Sequence, residues 1–104
     1  MSFIRVCSVQ DVPVGKGKKV FVGNKVLALY LHEGTYYAVK DVCPHQGISL
    51  SYGWLEGREV VCPGHGWKFD LVTGQCSTVP GQRVARCEVR IEGDDILVSE
   101  DYLE

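Results

Sequence analysis

Residues 18–40 read Lys18-Lys19-Val20-Phe21-Val22-Gly23-Asn24-Lys25-Val26-Leu27-Ala28-Leu29-Tyr30-Leu31-His32-Glu33-Gly34-Thr35-Tyr36-Tyr37-Ala38-Val39-Lys40. Apolar runs broken by two Gly-containing dipeptides decide the fold class. Gly23-Asn24 between two apolar runs is a hairpin signal, and it predicts strands over 18–22 and 25–32. Glu33-Gly34 makes a second turn into 35–40, where Tyr36, Tyr37 and Val39 favour a strand. Working outward, Phe3 to Val6 reads as a first strand, followed by a loop from Asp11 to Gly17. Near the other end Ala85, Cys87, Val89 and Ile91 alternate with Arg86, Glu88 and Arg90. That period of two marks a strand with one buried face. Glu92-Gly93-Asp94-Asp95 turns it into Ile96 to Ser99, and the acidic stretch Glu100 to Glu104 reads as a tail. No stretch holds a 3.6-residue period, so the chain is predicted to be all-β, a small sandwich or barrel.

Composition narrows the possibilities further. The 104 residues suit a single domain spanning 1–104. A hydrophobic fraction of 45% excludes wholesale disorder, and 12 Gly with 4 Pro favour short strands joined by turns. The longest apolar run, Val26 to Leu31, falls far short of the roughly 20 residues a membrane span needs. Met1 to Cys7 lacks the apolar core of a secretory signal, which points to the cytoplasm, where thiols stay reduced. Five cysteines is an odd number and argues against a disulfide framework. A net charge of −2 argues against a nucleic-acid binder working through a basic face.

The stretch from Asp41 to Pro80 differs from the rest. It is dense in Gly, Pro, Cys and His, and its strand signals are short: 54–56, 59–61 and 68–69. Such a segment lacks the aliphatic residues for a core of its own, so something else should hold it. Cys43-Pro44-His45-Gln46-Gly47 offers a Cys-x-His pair, and Cys62-Pro63-Gly64-His65-Gly66-Trp67 a Cys-x-x-His pair. The spacing allows a hairpin that brings the two loops face to face, each with one soft thiolate and one imidazole. A Cys2His2 set of this kind can hold tetrahedral zinc, although structural zinc sites usually pair Cys with Cys and His with His. A mixed pair from each loop better suits two irons, one taking both cysteines and the other both histidines.

With these motifs the chain resembles the Rieske-type [2Fe–2S] ferredoxins that serve bacterial aromatic-ring dioxygenases. The likeness runs from Phe3 through both ligand loops to the Asp94-Asp95-Ile96-Leu97-Val98 segment. It implies a base domain of antiparallel strands carrying a cluster-binding subdomain over about 41–80. By the same resemblance Cys43 and Cys62 bind the inner iron, and His45 and His65 the outer one, near a surface tip. Thr78-Val79-Pro80-Gly81 matches the proline loop that covers the cluster on a third side. In the high-potential branch a further cysteine pair forms a disulfide; the matching positions here are Ile48 and Gly64. That branch also has Ser and Tyr hydroxyls bonded to cluster sulfurs, where this chain has Trp67 and Phe69. Fewer donors stabilise the reduced charge less. The expected potential is about −150 mV rather than about +300 mV.

The implied function is a one-electron carrier. It would take an electron from a flavin-dependent reductase and pass it to a terminal oxygenase of aromatic hydrocarbon catabolism. No catalytic constellation is left over, so the chain is expected to be a monomeric electron-transfer component and not an enzyme. A small Rieske subunit of an assimilatory nitrite reductase and a structural zinc module are the alternatives. Of the remaining residues, Cys87 and Cys7 read as buried packing cysteines and His32 as a surface histidine at a hairpin end. Cys76 has no ligand partner by spacing, and Trp54 and Trp67 read as packing in the small subdomain. Lys68 and Arg58 are candidates for tuning the cluster by charge.

Overall fold

Each run read as extended contains a strand in the computed structural model, which describes residues 2–44, 47–64 and 66–103. In chain order the strands are β1 (Phe3–Ser8), β2 (Lys18–Val22), β3 (Lys25–His32), β4 (Thr35–Lys40), β5 (Trp54–Glu56), β6 (Glu59–Val61), β7 (Lys68–Asp70), β8 (Arg86–Glu92) and β9 (Asp95–Leu103). Six of them form one antiparallel sheet in the order β1-β9-β8-β4-β3-β2, whose edge strands β1 and β2 come back into contact. The other three form a small sheet in the order β5-β6-β7. Among the described residues the only helical segments are two 3-10 turns, Val9–Asp11 and Leu50–Tyr52. Among those residues no helix is long and apolar enough to cross a membrane.

The unbroken apolar run in β3 has a physical reason. Leu27 and Leu29 point into the curled large sheet, where they pack with Val20, Val22, Ala38, Cys87, Ile96 and Val98. Ala28 and Tyr30, on the opposite face, pack with Val60, Phe69 and Leu71 of the small sheet and its flanks. A strand buried on both faces shows no polar alternation. β4 does the same, with Ala38 on one side and Val39 on the other. The small sheet therefore sits on the outer face of β3 and β4, directly beside the chain that leaves β4 at Asp41.

Two sequence expectations need correcting. The acidic end is not a tail: β9 continues to Leu103, pairing Tyr102 with Cys87 and Leu103 with Arg86. Tyr102 supplies the reason. Its ring packs against the large-sheet core and lies under the Lys25 ammonium, 5.3 Å from Nζ to the ring centroid. An irregularity between Cys87 and Val89 absorbs the extra residues of β9. The first strand is also longer than expected and ends at Ser8, whose hydroxyl caps the following turn.

The β3–β4 turn carries local strain. His32 pairs with Thr35, and the two residues between them both have positive φ, Glu33 at 50° and Gly34 at 80°. Glu33 is the one non-glycine among the described residues in that region, and its side chain is exposed. A turn with two positive φ angles favours Asn-Gly. Glu33→Asn should therefore stabilise the fold by about 0.5–1 kcal/mol, read as a higher urea midpoint at an unchanged denaturant slope. The long contact it loses, 3.8 Å to the His32 imidazole, is too exposed to offset that gain.

Candidate metal centre

The two Cys-containing loops have the same construction. Loop 1 leaves an isolated bridge between Val42 and Ser49, and loop 2 leaves the Val61–Lys68 pair that ends β6 and β7. In loop 1 the Cys43 N–H donates to the Ile48 carbonyl (2.9 Å), and the Gly47 N–H donates to the Cys43 carbonyl (2.9 Å). In loop 2 the Cys62 N–H donates to the Trp67 carbonyl (2.8 Å), and the Gly66 N–H to the Cys62 carbonyl (3.0 Å). Each loop is thus a Cys-Pro-x-x-Gly turn closed at a left-handed glycine, with φ of 71° at Gly47 and 76° at Gly66. An L-residue at either position would oppose closure. The sequence carries this repeat as two Cys-Pro pairs, each followed by Gly at the same distance.

Cys43 and Cys62 are 1% and 2% exposed and belong to one packed cluster with Val60, Phe69, Leu71 and Cys76. Ile48, Trp67 and Val79 cover that cluster from outside. The loops therefore hold two thiols in a shared dry environment, which suits soft-metal ligation and excludes water from it. None of the five cysteines forms a disulfide. His45 and His65, the two imidazoles expected to complete the set, lie outside the described residues.

The scaffold under loop 1 has no signal in the sequence. Asp41, 2% exposed, uses its backbone N–H on the Val26 carbonyl and its carbonyl on the Leu50 N–H. Its carboxylate accepts the Ser51 N–H at 2.6 Å and faces the Lys19 ammonium at 3.6 Å. Next to it the Tyr30 hydroxyl donates to the Leu50 carbonyl. Burial, with the Asp41 charge adding to it, pushes the Tyr30 phenol well above its ordinary value, so it stays a donor. Asp41 and Tyr30 together fix the 3-10 turn that follows loop 1. Gly53, which ends that turn, passes against the strand leading to loop 2. A Cβ there would stand 2.1 Å from the Val61 carbonyl, one residue before Cys62.

A third loop closes over the same cluster. The Lys68 N–H donates to the Thr78 hydroxyl at 3.2 Å, which lies 3.2 Å from the Cys76 sulfur, and the Val79 N–H donates to that sulfur at 3.4 Å. Cys76, unassigned by spacing, is therefore a buried hydrogen-bonding residue that shapes this loop. Cys7 and Cys87 are buried in the large-sheet core as expected. Trp67 packs on the site cluster, whereas Trp54 is 42% exposed and its indole N–H donates to Glu56, so it does not pack as expected. Lys68 and Arg58 are engaged in ion pairs at 2.8 Å, with Glu56 and Asp70 respectively.

Asp70 ends β7 and sets up the turn toward Cys76. Partial burial favours its neutral form, but the N–H groups of Val72 (2.7 Å) and Thr73 (3.1 Å) and the Arg58 guanidinium outweigh that and hold the carboxyl below its ordinary value. A lowered value means that the folded chain binds fewer protons than the unfolded chain. The stabilisation is complete above about pH 4 and is lost as pH falls through the folded value. Asp70→Asn should cost roughly 1–2 kcal/mol at pH 7, and the difference from the unsubstituted chain should shrink below pH 4 in urea titrations.

Three comparisons bear on what this arrangement is. Residues 2–98 match the Rieske [2Fe–2S] domain family. The naphthalene 1,2-dioxygenase ferredoxin component of Pseudomonas aeruginosa is 37% identical over 97 residues, covering 92% of this chain and 93% of that protein. The biphenyl dioxygenase ferredoxin subunit of Pseudomonas sp. (strain KKS102) is 37% identical over 100 residues, covering 94% and 92%. A ferredoxin chain in a solved complex of reduced oxygenase and oxidised ferredoxin of carbazole 1,9a-dioxygenase superposes with a TM-score of 0.83. It is 33% identical, with 92% of this chain and all of that one covered.

Proposed function

The chain belongs to the Rieske [2Fe–2S] domain family, and on that premise we propose that Cys43, His45, Cys62 and His65 are the four ligands of its cluster. The cofactor is a Rieske-type [2Fe–2S] cluster, which supplies reversible one-electron chemistry when bound. The residues fit it. Soft thiols from two equally built loops share one buried environment, and that matched construction is the observation that carries the proposal. The Cys-Pro-x-x-Gly turns aim the cysteines, the Asp41–Tyr30 scaffold anchors loop 1, and the third loop with Val79 excludes water.

The protein would then work as a carrier in the cytoplasm. It would accept an electron from a flavin-dependent reductase and pass it to a terminal oxygenase of the aromatic-ring dioxygenase type, without catalysing a reaction on an organic substrate itself. A monomer with a cluster-binding unit over about 41–80 suffices for that role. The relatives support this reading, since they are ferredoxin components of naphthalene and biphenyl dioxygenase systems. Stopped-flow mixing of the reduced protein with oxygenase components of such systems should show its reoxidation. Failure with every such oxygenase, together with stable co-purification with a nitrite reductase large subunit, would reverse the assignment.

Phe69 and Trp67 carry a further expectation. Neither side chain has a hydroxyl to donate toward cluster sulfur, and Phe69 is fully buried at the site. The midpoint potential should fall near the bottom of the Rieske range, about −150 mV. Phe69→Tyr adds one donor in that environment. One hydrogen bond favouring the reduced state by roughly 1 kcal/mol corresponds to about 45 mV, so the variant should titrate that much higher. A midpoint well above zero for the unsubstituted protein would contradict the argument.

A further inference from the structure

Four basic side chains are engaged in ion pairs with carboxylates: Arg5 with Asp95, Lys19 with Asp41, Arg58 with Asp70 and Lys68 with Glu56. Lys40 and Arg83 are not. Among the described residues neither forms an ion pair, and Arg83 donates only to the Thr73 carbonyl at 3.4 Å. Both are exposed, and both line one cleft of about 350 Å³. The same cleft has apolar walls, in Val42 (43% exposed), Pro44 and Leu103 (39% exposed). Two cations without carboxylate partners among the described residues thus flank apolar surface that is left in water.

The position of the cleft matters as much as its chemistry. Pro44 is the residue after Cys43, so the cleft opens against loop 1. Arg83 also lines a second cleft, of about 330 Å³, shared with Cys76 and Pro80 of the third loop. One residue, Arg83, therefore borders two of the loops that enclose the proposed centre.

We infer that this cleft docks an acidic segment of the electron-accepting partner. A carboxylate would sit between Lys40 and Arg83, and an adjacent apolar side chain would sit against Val42, Pro44 and Leu103. The inference rests on the carrier reading and adds the partner chemistry and the place. A chain of net charge −2 has no favourable overall field for an acidic partner, so the attraction has to be local. Surface charges are screened beyond about 10 Å at 0.1 M salt, so the patch acts at close approach, beside loop 1, where electron transfer needs the partner to be. The apolar walls exclude water from the pair and strengthen it. They also favour a polypeptide segment over a small inorganic anion, which would have no use for them.

The test is a rate comparison on the cluster-loaded protein. Reduced Lys40→Gln/Arg83→Gln and a Lys16→Gln/Lys18→Gln control with the same charge change are mixed with oxygenase components of the naphthalene, biphenyl and carbazole dioxygenases. The cleft variant should lose about tenfold in second-order rate at low salt and show a flatter salt dependence, with its visible spectrum and midpoint unchanged. The control should stay within about twofold of the unsubstituted protein. Leu103→Ser should slow transfer without altering the salt slope. Equal rates for the cleft variant and the unsubstituted protein, or an equal loss in the control, would overturn the inference and leave the carrier reading standing. Failure of the unsubstituted protein with all three oxygenases, together with stable co-purification with a nitrite reductase large subunit, would instead remove the carrier reading and the docking site with it.

Discussion

Cys62→Ser should purify colourless and nearly free of iron. The side chain is 2% exposed, so its replacement sits in the same dry cluster as Cys43 and no water can take the vacated position. A serine hydroxyl is a harder and far less acidic donor than a thiol, and it holds soft thiolate-type sites poorly. Cys43→Ser should behave the same way, because loop 1 repeats the construction of loop 2. Cys87→Ser supplies the contrast. That residue is equally buried but packs in the large-sheet core, so its variant should keep its iron and lose only roughly 1–3 kcal/mol of stability. Iron and sulfide analysis on the three variants separates ligation from general damage. Retention of iron by both Cys43→Ser and Cys62→Ser would remove these residues from the site.

The second large effect comes from a residue with no side chain. Gly53→Ala would place a Cβ 2.1 Å from the Val61 carbonyl and 3.2 Å from the Leu50 carbonyl, both backbone atoms. Backbone has to move to relieve that contact. Val61 is paired with Trp54 and Lys68, so the movement passes into both neighbours in the small sheet and into the stem of Cys62. A loss of about 3 kcal/mol is expected, which for a domain of this size lowers the melting temperature by roughly 15 °C. Iron should also be released faster from the folded variant, because the loop 2 stem is displaced. Tyr52→Ala, one residue earlier and 70% exposed, should change stability by less than about 1 kcal/mol and leave iron retention unaltered.

The strands are legible because each one carries a local signal. β3 and β4 announce themselves by apolar runs and a Gly-containing turn, and β8 by alternation. The end of β9 is not legible in the same way. Glu100 and Asp101 look like a solvated terminus, and it takes the pairing with β8 and the packing of Tyr102 on the large-sheet core to keep the chain extended to Leu103. At the site, the Cys-Pro and Gly spacings mark both loops in the sequence itself. Their supports stay hidden there for a different reason. Asp41 and Tyr30 act through single hydrogen bonds to the turn that follows loop 1, and Gly53 through a close approach to Val61. None of these contacts leaves a periodic pattern along the chain. Trp54 shows the converse: an aromatic residue in a dense segment suggests packing, but β5 is the edge of a three-stranded sheet and leaves the indole exposed.

The proposed centre takes two thiolates and two imidazoles from two loops into one two-iron cluster. Pulsed electron-spin resonance of the reduced protein, run on a sample assayed for metal and sulfide, tests it most directly. Two irons and two acid-labile sulfides per chain are expected, with two strongly coupled imidazole nitrogens, one of them lost in each of His45→Ala and His65→Ala. A single zinc per chain, or a reduced cluster without nitrogen coupling, would contradict it.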